Sequence, residues 1–170
     1  ALAKIMFGDE KTLIRFDMSE FSESFQVSKL IGAPAGYVGY KEGAKLTESI
    51  KRRPYSVLLF DEIEKAHHDL FNLFLQILDE GHLTDAVGKR INFKNTIIIF
   101  TSNVGTGDMN KQDAIGFDQP EKEQQNVSAF RHLETRVLED LRRRFRPEFL
   151  NRIDKTLVFR PLQARHIDAI

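Results

Sequence analysis

Apolar residues along the chain fall into two kinds of pattern, and each predicts a different element. Ser56-Val57-Leu58-Leu59-Phe60 and Thr96-Ile97-Ile98-Ile99-Phe100 are short, nearly continuous apolar runs rich in β-favouring residues. Such a run predicts a strand buried on both faces, as in a parallel sheet. Leu70, Leu73, Phe74, Ile77 and Leu78 recur instead at helical spacing, and Gly81 is placed to end that helix. Phe130, Leu133, Val137, Leu141 and Phe145 mark one face of another helix, which Pro147 stops. Strands and helices in alternation predict an α/β fold, a parallel sheet flanked by helices.

Weaker signals fill the intervals. Residues 1–7 favour a helix without a start signal and run into Gly8 as a stop, so the chain is expected to begin inside a helix and to be a fragment. Residues 12–18 alternate enough for a strand, and short helices are expected at 24–31 and near 47–51. Residues 32–43 are glycine-rich, and residues 83–93, with Gly88 in the middle, suit a hairpin or long loop. Residues 105–127 are polar apart from Ile115-Gly116-Phe117 and predict an exposed loop, while residues 155–159 predict a last short strand. No internal repeat is visible.

Composition narrows the class without choosing within it. The chain has 170 residues, 41% of them hydrophobic, enough for one substantial core and hence a single domain, 1–170. Lys plus Arg and Asp plus Glu both number 25, so no global charge points to nucleic acid or an anionic membrane. Zero cysteines exclude a disulfide scaffold and any thiolate metal site. No apolar stretch approaches the ~20 residues that span a bilayer, and residues 1–7 do not read as a signal peptide, so a cytosolic protein is expected.

Candidate chemistry sits where the two apolar runs end. In an open α/β sheet ligands bind at the C-terminal ends of the strands, and here those ends deliver Asp61-Glu62 and Thr101-Ser102-Asn103. A carboxylate pair beside an amide suits a hydrated magnesium-nucleotide, because Mg2+ keeps several waters and needs few protein carboxylates. Asp61 would hold the metal through water, and Glu62, aimed differently, would polarise the water that attacks a γ-phosphate, with Asn103 orienting that water. The plainer alternatives are an aspartate that caps the next helix and an asparagine that satisfies backbone groups.

With these residues in view, the chain resembles the second AAA+ (D2) module of Clp unfoldases over nearly its whole length. VLLFDEIEKAH at 57–67 resembles a Walker B segment, and IIIFTSN at 97–103 a strand ending in the sensor-1 asparagine. GAPAGYVGY at 32–40 and FRPEFLNRID at 145–154 complete the ordered set. The resemblance implies a five-stranded parallel sheet flanked by helices, ATP and Mg2+ as cofactors, and a homohexameric ring. It makes Arg152 the arginine finger that reaches a neighbouring subunit's site, with Arg146 a weaker candidate. Such fingers are worth about 10^3–10^5 in rate elsewhere.

Gly36, Tyr37, Val38 and Gly39 match the family's axial pore loop, which pulls unfolded or tagged polypeptide. Tyr37 between glycines is an aromatic on a backbone free to swing, and Lys-Ser/Thr does not follow the glycines as a phosphate loop requires. The hairpin around Gly88, with Lys89 and Arg90, resembles the second pore loop. Ile115-Gly116-Phe117 resembles the tripeptide that docks on the ClpP peptidase, which makes ClpC the nearest type and ClpB, lacking that loop, the second. The resemblance leaves adaptor proteins open.

Departures from the family are also visible. The P-loop, its strand and the small helical domain are expected outside this stretch, leaving the sheet with two unpaired edges and the stretch alone unable to hydrolyse ATP. His68 and Ala35 stand where the family usually has proline, and Phe25 where it often has histidine. His67 and His68, adjacent in sequence, are read as sharing no helix face and forming no metal site. Residues 131–152 hold seven Arg against four acidic residues, so a nucleic-acid motor on the same core is the first competing reading and a non-catalytic assembly module the second.

Overall fold

The computed structural model describes residues 1–32, 44–105 and 123–160. Their contacts divide the chain into two compact units, Ala1–Asn103 and Val104–Ile170.

The first unit is built on three parallel strands, β1 (Leu13–Asp17), β2 (Ser56–Asp61) and β5 (Thr96–Phe100), in the order β1-β2-β5. Helices α1 (Leu2–Phe7), α2 (Ser24–Ile31), α3 (Lys45–Arg52) and α4 (His68–Glu80) connect and cover them. Each of these elements falls where the residue pattern places it. Gly8 and Gly81 end α1 and α4 in the left-handed conformation, at φ 78 and φ 66, and so supply the expected stops.

An aromatic row fixes the register. Phe16, Phe60 and Phe100 lie opposite one another on the three strands, the flanking rings 5.6 and 5.5 Å from the fully buried Phe60. Phe74 of α4 closes over Phe60 at 4.7 Å, beside buried Leu70 and Ile77 on the same helical face. Because strand side chains alternate, the residue after each ring turns to the other face at the strand ends. Those residues are Asp17, Asp61 and Thr101, so the packing of the core aligns a polar row.

A separate antiparallel hairpin, β3 (His82–Thr84) with β4 (Arg90–Asn92), tucks Leu83 and Ile91 inside. The sequence left a hairpin and a long loop open at this place, and the hairpin forms.

The second unit holds α5 (Glu123–Arg144) and the single-turn α6 (Pro147–Leu150). Among its described residues, Val137, Phe145 and Phe149 are the buried apolar ones. Pro147, which stops α5, also starts α6 at its first turn, where the missing N–H costs nothing.

Three expectations need correction. Helix α5 begins at Glu123 and not after residue 127: Glu123, Gln124 and Gln125 are good helix formers, and polarity alone concealed them. Residues 155–159 do not form a strand. They find no ladder partner among the described residues, and Leu157 and Phe159 stand 64% and 82% exposed. The parallel sheet consequently has three strands among the described residues, without the one that residues 155–159 were expected to add, and β5 is half-buried along its whole length where burial on both faces was expected.

Candidate functional site

The tips of β2 and β5 bring Asp61, Glu62 and Asn103 together within the first unit. Asp61 is the last residue of β2 and faces Asp17 across the β1 ladder. Its Oδ1 accepts from the Thr101 hydroxyl, and its Oδ2 accepts from Arg15, whose Nε lies at 3.0 Å and whose Nη2 also donates. The Thr101 hydrogen bond and then the Arg15 guanidinium hold the Asp61 carboxyl below its usual range, against burial and the neighbouring Asp17.

At Glu62 the backbone turns sharply. Its φ of 56 and ψ of 50 make it the one non-glycine with positive φ among the described residues. That conformation costs roughly 1–3 kcal/mol and persists where the surroundings over-determine it. Here the Glu62 N–H donates to Thr101 Oγ1 at 3.3 Å, the Ile63 N–H to the Thr101 carbonyl at 3.0 Å, and the Lys65 N–H back to the Glu62 carbonyl at 2.9 Å. The turn points the second carboxylate away from the line of the first.

Both oxygens of Glu62 are engaged. Oε1 accepts from Asn103 Nδ2 at 3.2 Å, and Oε2 pairs with the Lys65 ammonium at 2.7 Å. The Asn103 N–H meanwhile donates to Glu64 Oε1 at 3.1 Å, so the end of β5 is pinned to the turn that follows β2. The plainer reading of Asp61 as a helix cap does not hold, because His67 caps α4. The Asn103 amide reaches the Glu62 carboxylate directly.

Sequence reasoning gave no role to Arg15, Thr101 or Lys65. Thr101 was within reach: once Phe60 and Phe100 are paired, the next residue of β5 must stand beside Asp61. Arg15 required knowing that β1 lies next to β2, and Lys65 that the backbone turns at Glu62.

Other predicted residues lie elsewhere. Arg152, exposed just past α6, donates its N–H to the Phe149 carbonyl at 3.2 Å and belongs to the second unit, as does Arg146, the N-cap of α6. Gly36, Tyr37, Val38 and Gly39 fall outside the described residues, and so do Ile115, Gly116 and Phe117. Lys89 and Arg90 follow the hairpin turn, with Arg90 Nη2 3.1 Å from His82 Nδ1.

The premise on His67 and His68 also changes, because His67 stands outside the helix as its cap and the two rings lie 4.1 Å apart. With Asp69 they place ligand-type atoms within 4.8 Å of one another. His67 Nδ1, however, accepts the Asp69 N–H at 3.3 Å, and the positive end of α4 opposes a cation there. The trio acts as a helix start.

The oxygens at the strand tips fit a hydrated Mg2+ better than a fully protein-ligated metal. One carboxylate, kept ionised beside a hydroxyl, is a hard donor set that leaves the remaining positions to water and phosphate. Asp61 is the residue that would hold such an ion.

Comparison with known proteins shows which family the chain resembles. A family model described as "AAA domain (Cdc48 subfamily)" matches residues 1–156. The whole chain aligns with the chaperone protein ClpB of Oceanobacillus iheyensis at 49% identity, and with ClpC/MecB of Bacillus subtilis, a negative regulator of genetic competence, at 48%; it covers 20% of each. The chloroplastic ClpC of Pisum sativum is 53% identical and 18% covered. Among solved structures, an Hsp104–ADP complex of S. cerevisiae matches 98% of the chain with a TM-score of 0.78 and 44% identity, the chain covering 27% of it. The chain thus spans about a fifth of the length of the curated relatives it matches. Their identities do not separate a ClpC type from a ClpB type.

Proposed function

Since the chain belongs to the AAA+ ATPases, in the Clp family, we propose that it is the nucleotide-hydrolysing large subdomain of an ATP-driven protein unfoldase, a D2 module that threads polypeptide through a ring. The observation that carries the reading is the turned Glu62 carboxylate, held by Asn103 at 3.2 Å, next to an Asp61 kept ionised by Thr101 and Arg15. One residue fits holding Mg2+ and the next fits holding a water, and the strand tips keep them apart.

In this reading Asp61 would hold Mg2+ through water, and the ion would supply charge neutralisation on the phosphates of ATP. Glu62 accepts the hydrogen bond of the attacking water and draws its proton, while Asn103 fixes the carboxylate's direction. Lys65, half-exposed on the other Glu62 oxygen, restrains the side chain in one rotamer. Arg152 reaches the neighbouring subunit's nucleotide, which requires the homohexamer. Tyr37, between Gly36 and Val38-Gly39, grips unfolded or tagged substrate, and Ile115-Gly116-Phe117 docks the ring on a ClpP-type peptidase. Solved relatives support a polypeptide substrate, since one Hsp104 structure is a complex with casein.

The test is ATP-dependent unfolding of a tagged fluorescent protein by the full-length protein, wild type beside Tyr37→Ala and Glu62→Gln. Tyr37→Ala is expected to lose unfolding and keep hydrolysis, and Glu62→Gln to lose both while still binding ATP. Unfolding that survives Tyr37→Ala, together with hydrolysis stimulated by DNA, would replace this reading with the nucleic-acid motor. Hydrolysis unchanged in Glu62→Gln would leave the Asp-Glu pair structural.

A further inference from the structure

Two observations meet at the base of the β3–β4 hairpin. Gly32 ends α2 and Ala44 precedes α3, so they are the two ends of the connection over residues 33–43. A Cβ placed on Gly32 would lie 3.2 Å from the Ala44 Cβ and 3.6 Å from the Ala86 Cβ in the hairpin turn. The two ends of the connection therefore close against each other, and the Gly32 end also meets that turn. The φ of +93 at Gly32 and the 3.2 Å approach leave glycine as the residue that fits.

The second observation is a buried ion pair. The Asp85 side chain is 4% exposed. Its Oδ1 accepts the Val87 N–H at 3.1 Å and the Lys89 N–H at 2.8 Å, and this shapes the turn. Its Oδ2 accepts from the Lys51 ammonium at 3.1 Å, and Lys51, in the last turn of α3, also pairs with Glu48 at 2.9 Å. Burial works against the Asp85 charge, yet the Lys89 N–H, Lys51 and the Val87 N–H together hold its carboxyl below the usual range. One carboxylate thus serves two purposes, with Oδ1 building the hairpin tip and Oδ2 fastening it to a helix.

We propose that Asp85 and Lys51 form a tie that makes the hairpin, helix α3 and both ends of the 33–43 connection one rigid lever. Val87, 73% exposed at the turn, is then carried at a fixed offset from α3 and from the end of α2. Asp85 and Lys51 are positioning residues: both act through the hairpin turn and α3, and neither is among the strand-tip residues Asp61, Glu62 and Asn103. The use of the lever rests on the unfoldase reading, in which a displacement of α3 and the end of α2 would move Val87 by the same amount. The tie itself does not rest on it.

Hydrogen exchange in the full-length protein tests the tie, with wild type compared to Lys51→Met and Asp85→Asn. Asp85→Asn keeps an oxygen for the Val87 and Lys89 N–H groups and removes the charge that holds Lys51, so it loosens the tie while sparing the turn. It also carries the test should Lys51→Met fail to fold. Expected is roughly tenfold faster exchange at residues 44–53 and 82–92 together, the loss of one charged hydrogen bond, with 56–61 and 96–100 unchanged. Faster exchange at 82–92 alone, in neither segment, or uniformly through both strands overturns the proposal. Exchange is read without nucleotide or substrate, so this result and the Tyr37→Ala result can fail independently.

Discussion

Asp61 and Asp85 are two aspartates whose carboxyls are both held below the usual range, and they are held by different kinds of partner. Asp85 is nearly sealed, and two of its three partners are backbone N–H groups fixed by the hairpin itself. Asp61 has a side chain 24% exposed and is held by Thr101 and Arg15, side chains that can rotate away. A lowered carboxyl is thus no mark of function in itself. The partner decides: backbone partners make a carboxylate part of the fold, and side-chain partners near solvent leave it able to exchange them for a ligand.

The sharpest way to break this contrast is Glu62→Gln in the full-length protein. Losing the base at the strand tip is expected to lower ATP hydrolysis by about 10^2–10^4, with nucleotide binding kept, as read by phosphate release and a fluorescent nucleotide. Hydrolysis within a few-fold of wild type would sink the assignment. Next in size is Asp85→Ala, which strands two N–H groups, leaves Lys51 with Glu48 alone and should cost the hairpin roughly 2–3 kcal/mol of protection in hydrogen exchange. Asp61→Ala, measured the same way at residues 56–61, should cost no more than about 1 kcal/mol. The reverse order would erase the distinction between holding and binding.

Thr101→Val keeps the shape of the strand end and removes the hydroxyl that most lowers the Asp61 carboxyl. Hydrolysis is expected to fall about tenfold, and the acid limb of its pH profile to move upward; an unmoved limb would show that Arg15 suffices. The smallest effect is the acid response of the hairpin. A depressed carboxyl contributes stability that is present above its unfolded pKa, about 3.9, and lost as pH falls through the folded value. Hairpin protection, corrected for intrinsic exchange, should therefore be flat from neutral pH to about pH 5 and drop below about pH 4. That drop should shrink in Asp85→Asn. Lys51 is shifted the other way, upward, by Glu48 and Asp85, so its contribution fades only in strong alkali and does not disturb the acid window.

The elements were legible where one local pattern sufficed. The apolar runs of β2 and β5, the helical face of α4 and the glycine stops are each written within a few residues. A run of apolar residues reports a strand and not its number of neighbours, which is why Ile97, Ile98 and Ile99 read as fully buried and stand half-exposed. Residues 155–159 have strand-forming composition, but a strand exists only with a hydrogen-bonded partner. Asp61, Glu62 and Asn103 could be named because strand tips collect ligands. Arg15 could not, since its reach to Asp61 depends on which strand lies beside which. Asp85 was hidden for a related reason: it reads as a turn aspartate, and its ion pair crosses to a helix far earlier in the chain.

The left-handed backbone at Glu62 has a consequence for anyone who sets out to make this molecule sturdier. A design procedure scoring backbone comfort would choose this position first and install glycine, which adopts φ 56 without the clash that a Cβ brings. Such a variant would relax the turn and remove the carboxylate in one stroke. On the proposed role of Glu62, resistance to heat and turnover pull in opposite directions at this single residue.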